Sequence, residues 1–228
     1  GASLYRLHEG DFPRPKADLP AGGKPGEKID VQFLGDVAGP FTQSIVVPTD
    51  NPRMYGLFPD TKAGTPPSPV PFRISELDNY LEKEPNNVLE EATAGAVPGA
   101  FNGVISEPGD VDYFKIPCKK GQAWQVDVYA RELRSPLDSV IRVLRANGGQ
   151  IATNDDAGGR SDSSLRFNAP ADEDCYLVIT DHLGQGGEDY IYRIEVQQSQ
   201  PAVTTSLPEV RRYQDTVIAV PAGNRMAV

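Results

Sequence analysis

Short runs in which apolar and polar residues alternate, each closed by a turn, leave this chain little but β-structure to fold into. Ile29, Val31 and Phe33 alternate with Asp30 and Gln32, and Ile45 and Val47 repeat the pattern in the next run. Trp124, Val126 and Val128 alternate with Gln125, Asp127 and Tyr129. A period of two places all the apolar side chains of such a run on one face of an extended strand. Residues 140–146 form a further run ahead of Asn147-Gly148, a pair that tolerates positive φ and so closes a hairpin. Residues 54–58, 70–74, 177–180 and 190–196 supply more strands. The 22 Gly and 21 Pro among 228 residues are the punctuation that many short strands need. The predicted class is all-β, built as two β-sandwich modules with no helix longer than two or three turns.

Proline and glycine also suggest how the chain is divided. Residues 65–71 carry four prolines, which lack the N–H a central strand must donate, so they read as an extended edge or linker. Residues 76–84 read as a linker; Ser75 with Asp78 offers a cap for a short helix, and an extended path fits equally. The Pro/Gly-rich turn at 19–27, running into the strand of Ile29, resembles the start of immunoglobulin-like IPT/TIG modules. That resemblance implies an immunoglobulin-like sandwich at 11–75. Leu4-Tyr5-Arg6-Leu7-His8 is similar to Ile191-Tyr192-Arg193-Ile194-Glu195. On that hint, residues 1–10 are the last strand of a preceding module and residues 198–228 open another, chance similarity being the alternative. Gly1 reads as a tag remnant and the chain as a piece excised from a longer protein.

The charge narrows the functions open to the chain. With 32 acidic against 22 basic residues it carries a formal −10, which disfavours nucleic acid and anionic membranes and favours cations. No apolar run is long enough to span a bilayer. There is no His-Glu-x-x-His, P-loop or Gly-x-Ser-x-Gly pattern. The two histidines are His8, on an apparent strand, and His182, in a loop; neither has a nucleophile and orienting partner nearby in sequence. No catalytic residue is assigned and no enzyme activity is expected. Cys118 ends one apolar run and Cys175 begins another, so they either face each other as a disulfide or fill the core as separate small hydrophobes.

One acidic segment has the chemistry of a metal site. Glu82, Glu84 and Asn86 are spaced two apart, which in an extended chain aims all three side chains the same way; Asp110 and Asp112 repeat the spacing. Calcium takes several carboxylate and carbonyl oxygens, often from loops. The alternative is a solvated acidic linker with Asn86 capping a turn. Asn154, Asp155, Asp156 and Asp162 form a second acidic loop, whose residues are explained by Asx-turn chemistry without an ion.

Four blocks then fall in order: Glu82-Lys83-Glu84-Pro85-Asn86-Asn87, Gly109-Asp110-Val111-Asp112-Tyr113-Phe114, Asn154-Asp155-Asp156, and the segment from Gly186 to Val196. Together they resemble the bacterial pre-peptidase C-terminal domain, to which the collagen-binding domains of collagenases belong. The resemblance implies a jelly-roll module at 85–197 that is a non-catalytic accessory of a larger exported protein. It implies calcium held by Glu82, Glu84, Asn86, Asp110 and Asp112; Asn87 stands where an Asp is common, one charge fewer. It further implies a secreted, periplasmic or cell-surface location, other domains of the same polypeptide as partners, and an extracellular polysaccharide or protein as ligand. Alternative readings are a binding module that targets an attached hydrolase and a hydrolase in its own right. Tyr113, Tyr129, Tyr176, Tyr190 and Tyr192 are the aromatic candidates for a ligand surface, most of them expected in the core or on sheet faces.

Overall fold

The structure, a computed structural model, describes residues 8–50, 53–156 and 162–199. Six strands come first: β1 (Ala17–Leu19), β2 (Gly22–Gly23), β3 (Lys28–Leu34), β4 (Phe41–Val46), β5 (Met54–Leu57) and β6 (Val70–Ile74). They make two three-stranded sheets, ordered β1-β3-β4 and β2-β6-β5. Val31, Phe33, Leu57, Val70, Phe72 and Ile74 fill the space between the sheets, so the alternation at Val31 and Phe33 marks the inner face.

Ten strands follow: β7 (Asn79–Leu81), β8 (Thr93–Ala94), β9 (Gly99–Val104), β10 (Val111–Cys118), β11 (Ala123–Tyr129), β12 (Ser139–Leu144), β13 (Gln150–Asn154), β14 (Ser164–Asn168), β15 (Glu173–Asp181) and β16 (Ile191–Gln198). Two five-stranded sheets, β13-β12-β15-β10-β8 and β14-β11-β16-β9-β7, enclose the larger core. Trp124, Val126 and Val128 point into it, with Phe101, Phe114, Ile141 and Leu177. The described helix is limited to two three-residue 3-10 turns, Leu89–Glu91 and Arg131–Leu133. The chain is therefore all-β, in sandwich form.

Several expectations need correcting. Residues 79–81 of the supposed linker are β7, an edge strand running parallel to β9. Its carbonyls and amides find partners only because β9, twenty residues on, presents a free edge. Val70–Ile74 is the middle strand of its sheet although it contains Pro71. The reason is that β2 covers only Arg73 and Ile74, so Pro71 pairs with Gly56 on one side and needs no donor on the other. His8 lies in an exposed irregular segment, not on a strand. The hairpin at Asn147-Gly148 forms as expected, with Gly148 at φ 79° between β12 and β13. Cys118 and Cys175 are both free and buried, offset by two residue pairs on neighbouring strands: Ile116 faces Cys175 and Cys118 faces Glu173. The strands expected at residues 1–7 and 200–228 lie outside the described residues.

The two sets of sheets meet through a polar junction. The Glu195 carboxylate accepts two hydrogen bonds from Arg73, 3.1 and 3.0 Å, and one from Arg193 Nε at 2.9 Å. Arg193 is fully buried and also donates to Asn79, Asn102 and Ser75. Arg73 lies 3.4 Å above the Tyr129 ring. Gly22 permits this approach, since a Cβ there would meet Arg73 O at 2.6 Å and Arg193 Cζ at 2.8 Å. Ala17, Ala21 and Leu34 pack on Leu133 and Ile191 beside it.

Candidate metal centre

The chain leaves β7 at Leu81 and passes along the edge of β9. Glu82 N donates to Asn102 O at 3.0 Å, which turns the Glu82 side chain inward. Its Oε1 accepts from Val104 N at 2.9 Å. Asp112, the second residue of β10, is fully buried and faces it. The Tyr192 hydroxyl, on β16, lies 3.0 Å from Glu82 Oε2 and 2.6 Å from Asp112 Oδ2. One hydroxyl proton serves one of these carboxylates, so the other contact calls for a further proton or a cation.

Ligand oxygens of Glu82, Glu84 and Asp112 all lie within 4.8 Å of one another. Glu84 is exposed and closes the cluster on the solvent side. Asn86 is buried; its backbone carbonyl accepts from Tyr113 N at 2.9 Å, pinning this segment to β10. Its side-chain amide lies 3.2 Å from Asp112 Oδ1 and 3.1 Å from Glu84 Oε2, where the nitrogen donates to both. Rotating the same amide would turn its oxygen toward the carboxylates. Four of the five expected residues therefore converge.

Asp110 does not join them. Its Oδ2 accepts from Ser106 N and Oγ at 2.7 and 3.0 Å, and its Oδ1 from Val111 N at 2.9 Å, so it braces the turn before β10. The Asn87 amide, where an Asp was noted as common, donates to Asp110 Oδ1 and Val111 O. Asp110 acts on the cluster by its charge, which helps raise Glu84 and Asp112.

The electrostatics are those of crowded anions with little water. Burial pushes the Glu82 carboxyl up to about 7. Burial and then the Glu82 charge push Asp112 up to about 9. Burial raises Glu84 as well. A divalent cation reverses each of these effects, because it offsets the repulsion and substitutes for water. Three carboxylates, with an amide oxygen added if the Asn86 side chain rotates, fit calcium, a hard cation tolerant of irregular geometry. Gly103 makes the space: a Cβ there would meet Glu82 Oε2 at 2.0 Å and Tyr192 Oη at 2.2 Å. The residues fit such an ion, and Glu82, Glu84 and Asp112, with Asn86 after rotation of its amide, are the ones that would hold it.

Sequence reasoning overlooked Tyr192 as part of this cluster. It stands in the sequence only as one of five aromatic candidates, most of them expected in the core or on sheet faces; it is fully buried, and no local pattern distinguishes it from Tyr190. Among the described residues these candidates form no exposed aromatic strip: Tyr176 is buried, and Tyr113, Tyr129 and Tyr190 are half-buried. The second acidic loop spends its side chains on the backbone, in part through local bonds and in part across the fold. Asn154 Nδ2 donates to Asp156 O at 2.9 Å, whereas Asp162 accepts from the distant backbone of Ala130, Arg131 and Glu132 at 2.8–3.1 Å, and Asn154 Oδ1 from Ser164 N at 2.9 Å. His182 is exposed in the turn after β15, and among the described residues neither imidazole is hydrogen-bonded to a hydroxyl or carboxylate.

No family model matches the chain. A subtilase-type serine protease of Deinococcus radiodurans is 35% identical over 114 residues, 47% of this chain and 15% of that protein. The chain thus spans a small part of that relative. Among solved structures, the pre-peptidase C-terminal domain of a collagenase from Bacillus anthracis superposes with a TM-score of 0.39 at 14% identity, covering 51% of this chain and 100% of that domain. A periplasmic inhibitor of g-type lysozyme from Salmonella Typhimurium gives 0.29 at 15% identity, covering 54% and 98%. No helix among the described residues is long and apolar enough to cross a membrane.

Proposed function

We propose that this chain is a non-catalytic structural and adhesive accessory region of a larger exported bacterial protein, and that calcium at Glu82, Glu84, Asn86 and Asp112 stabilises it. The observation that carries the reading is the gathering of three carboxylates within 4.8 Å, one of them fully buried, at the point where the chain enters the second sandwich. Bound there, calcium would supply the positive charge that the cluster lacks. Glu82 and Glu84 would then tie the edge segment after β7 to the start of β10, while Tyr192 and Gly103 set their approach. The match to a stretch of a longer serine protease supports a place within a larger polypeptide. The ligand under the adhesive reading is an extracellular protein or polysaccharide.

Thermal melts test the calcium assignment. Extracellular calcium modules bind with dissociation constants of roughly 10⁻⁴–10⁻³ M. At about ten times that constant the ion adds roughly 1.4 kcal/mol by mass action. The midpoint should rise from EDTA to millimolar calcium in the intact protein, and Asp112→Asn should remove the rise. A midpoint indifferent to both leaves an acidic edge without an ion.

A further inference from the structure

Two guanidiniums at the junction between the two sets of sheets have donors to spare. Arg73 is 8% exposed and gives Nε and Nη2 to Glu195. Its Nη1 has no hydrogen-bond partner among the described residues. It is not shut away, however: the fully buried unpartnered side-chain atoms are the two Asp18 oxygens and Trp124 Nε1. Arg73 Nη1 therefore keeps access to solvent, and Arg73 lines a pocket of about 420 Å³. Arg53, exposed and without a side-chain partner among the described residues, lines the same pocket.

The pocket supplies acceptors as well. Asp127 accepts from Gln125 Nε2 at 2.9 Å and from Ser164 Oγ at 2.6 Å, both on Oδ1. Its Oδ2 is unpartnered and, like Arg73 Nη1, open to solvent. Glu76 and Gln197 are exposed and line the pocket too. With Trp124, Val126 and Val128 turned into the core, Gln125 and Asp127 share the outer face of their sheet. Register sets Asp127 between Ser164 and Glu195, and Gln125 between Arg166 and Gln197. Arg166 Nε donates to Gln125 Oε1 at 2.6 Å. A second cleft, lined by Gln125, Asp127, Ser164 and Arg166, continues the first from Asp127 across the sheet.

Charge selects what such a groove can hold. An anion would meet Arg53 and Arg73 but also Glu76, Asp127 and Glu195, and a cation would meet the same groups with the signs reversed. A neutral group that donates and accepts at once suits both. Adjacent sugar hydroxyls have that property: each can accept from Arg73 Nη1 or Arg53 while donating to Asp127 Oδ2 or Glu76. We infer that the pocket and its continuation bind a neutral polysaccharide segment. Recognition rests on hydrogen bonds more than on stacking, because Arg73 lies 3.4 Å above the Tyr129 ring and occupies that face. The inference rests on the adhesive reading above and names its ligand, and it uses none of the residues of the calcium cluster.

Affinity electrophoresis of the full chain tests it, in native gels cast with dextran, mannan or β-glucan, once in EDTA and once in calcium. Retardation by at least one of these is expected in both buffers, and it should persist in high salt because the ligand is uncharged. Arg53→Ala with Gln197→Ala should weaken the interaction at least about ten-fold, as for loss of a hydrogen bond to a charged group. Both positions are exposed, and Arg73 is left in place because it holds Glu195. Should the double variant melt early, Gln197→Ala alone is judged by the same criteria. No retardation in any gel, retardation by polygalacturonate or heparin alone, or undiminished retardation of the double variant would overturn the site. The last result would leave the polysaccharide reading standing without this pocket, whereas no retardation at all would leave a protein as the adhesive ligand. The EDTA arm keeps either outcome separate from the calcium assignment.

Discussion

Replacing Glu195 by Gln should expose how much the junction between the two sets of sheets depends on one negative charge. In the folded chain the Glu195 carboxylate, 2% exposed, receives three hydrogen bonds from Arg73 and Arg193. Gln keeps the volume but leaves two buried guanidiniums without their shared counter-charge. Removing one partner of a buried pair costs about 3–5 kcal/mol, because the remaining charge stays desolvated. A chain of this size loses about 2–4 °C per kcal/mol, so the midpoint should fall by roughly 6–20 °C near neutral pH. The pH dependence has a definite sign. Burial works to raise the Glu195 carboxyl, but hydrogen bonds and charge from Arg73 and Arg193 outweigh it, and the net shift is downward from 4.5. A lowered carboxyl contributes stability that is present above its unfolded value and lost as pH falls through its folded value. The gap between wild type and Glu195→Gln should therefore be wide near neutral pH and close in strong acid. Calorimetric scans from neutral pH downward measure it. A neutral-pH gap within error of zero, or one that persists unchanged in strong acid, would refute the argument.

Three further outcomes are expected. Gly103→Ala should destabilise the protein and abolish any calcium-dependent rise in midpoint, since its Cβ would collide with Glu82 and Tyr192; a variant with wild-type melts in EDTA and calcium rules out the cradle. Burial pushes the unpartnered Asp18 carboxyl well above its ordinary value, so the folded state holds a proton that the unfolded chain releases, and stability falls as pH rises above about 4. Asp18→Asn should flatten that decline and gain roughly 1–3 kcal/mol at mildly alkaline pH; parallel stability curves for the two proteins sink the idea. Burial should keep both Cys118 and Cys175 unreactive to a disulfide reagent until the protein is denatured, whereas prompt modification of the native protein would show that they are accessible.

Strand identity and fold class were legible in the sequence because they rest on local periodicity. The alternation at Val31 and Phe33, and at Trp124, Val126 and Val128, places those side chains on the inner faces whatever the strands pair with. Gly148 closes its hairpin through its own φ. The two-residue spacing aligns Glu82 and Glu84 in an extended chain, but Asn86 joins them only past a bend at Glu84, which spacing alone does not supply. What spacing could not say is which groups meet across the fold. Asp110 and Asp112 look equivalent in sequence, yet one braces a turn and the other enters the cluster, because only Asp112 lies on β10 opposite Tyr192, eighty residues away. Residues 79–81 became a strand because β9 offered an edge, and Pro71 was admitted to a middle strand because β2 stops short of it. Arg73 and Glu195 lie 122 residues apart. Their pairing depends on the register of two separate sheets, and register is set by long-range burial and hydrogen bonding, which a one-dimensional pattern does not encode.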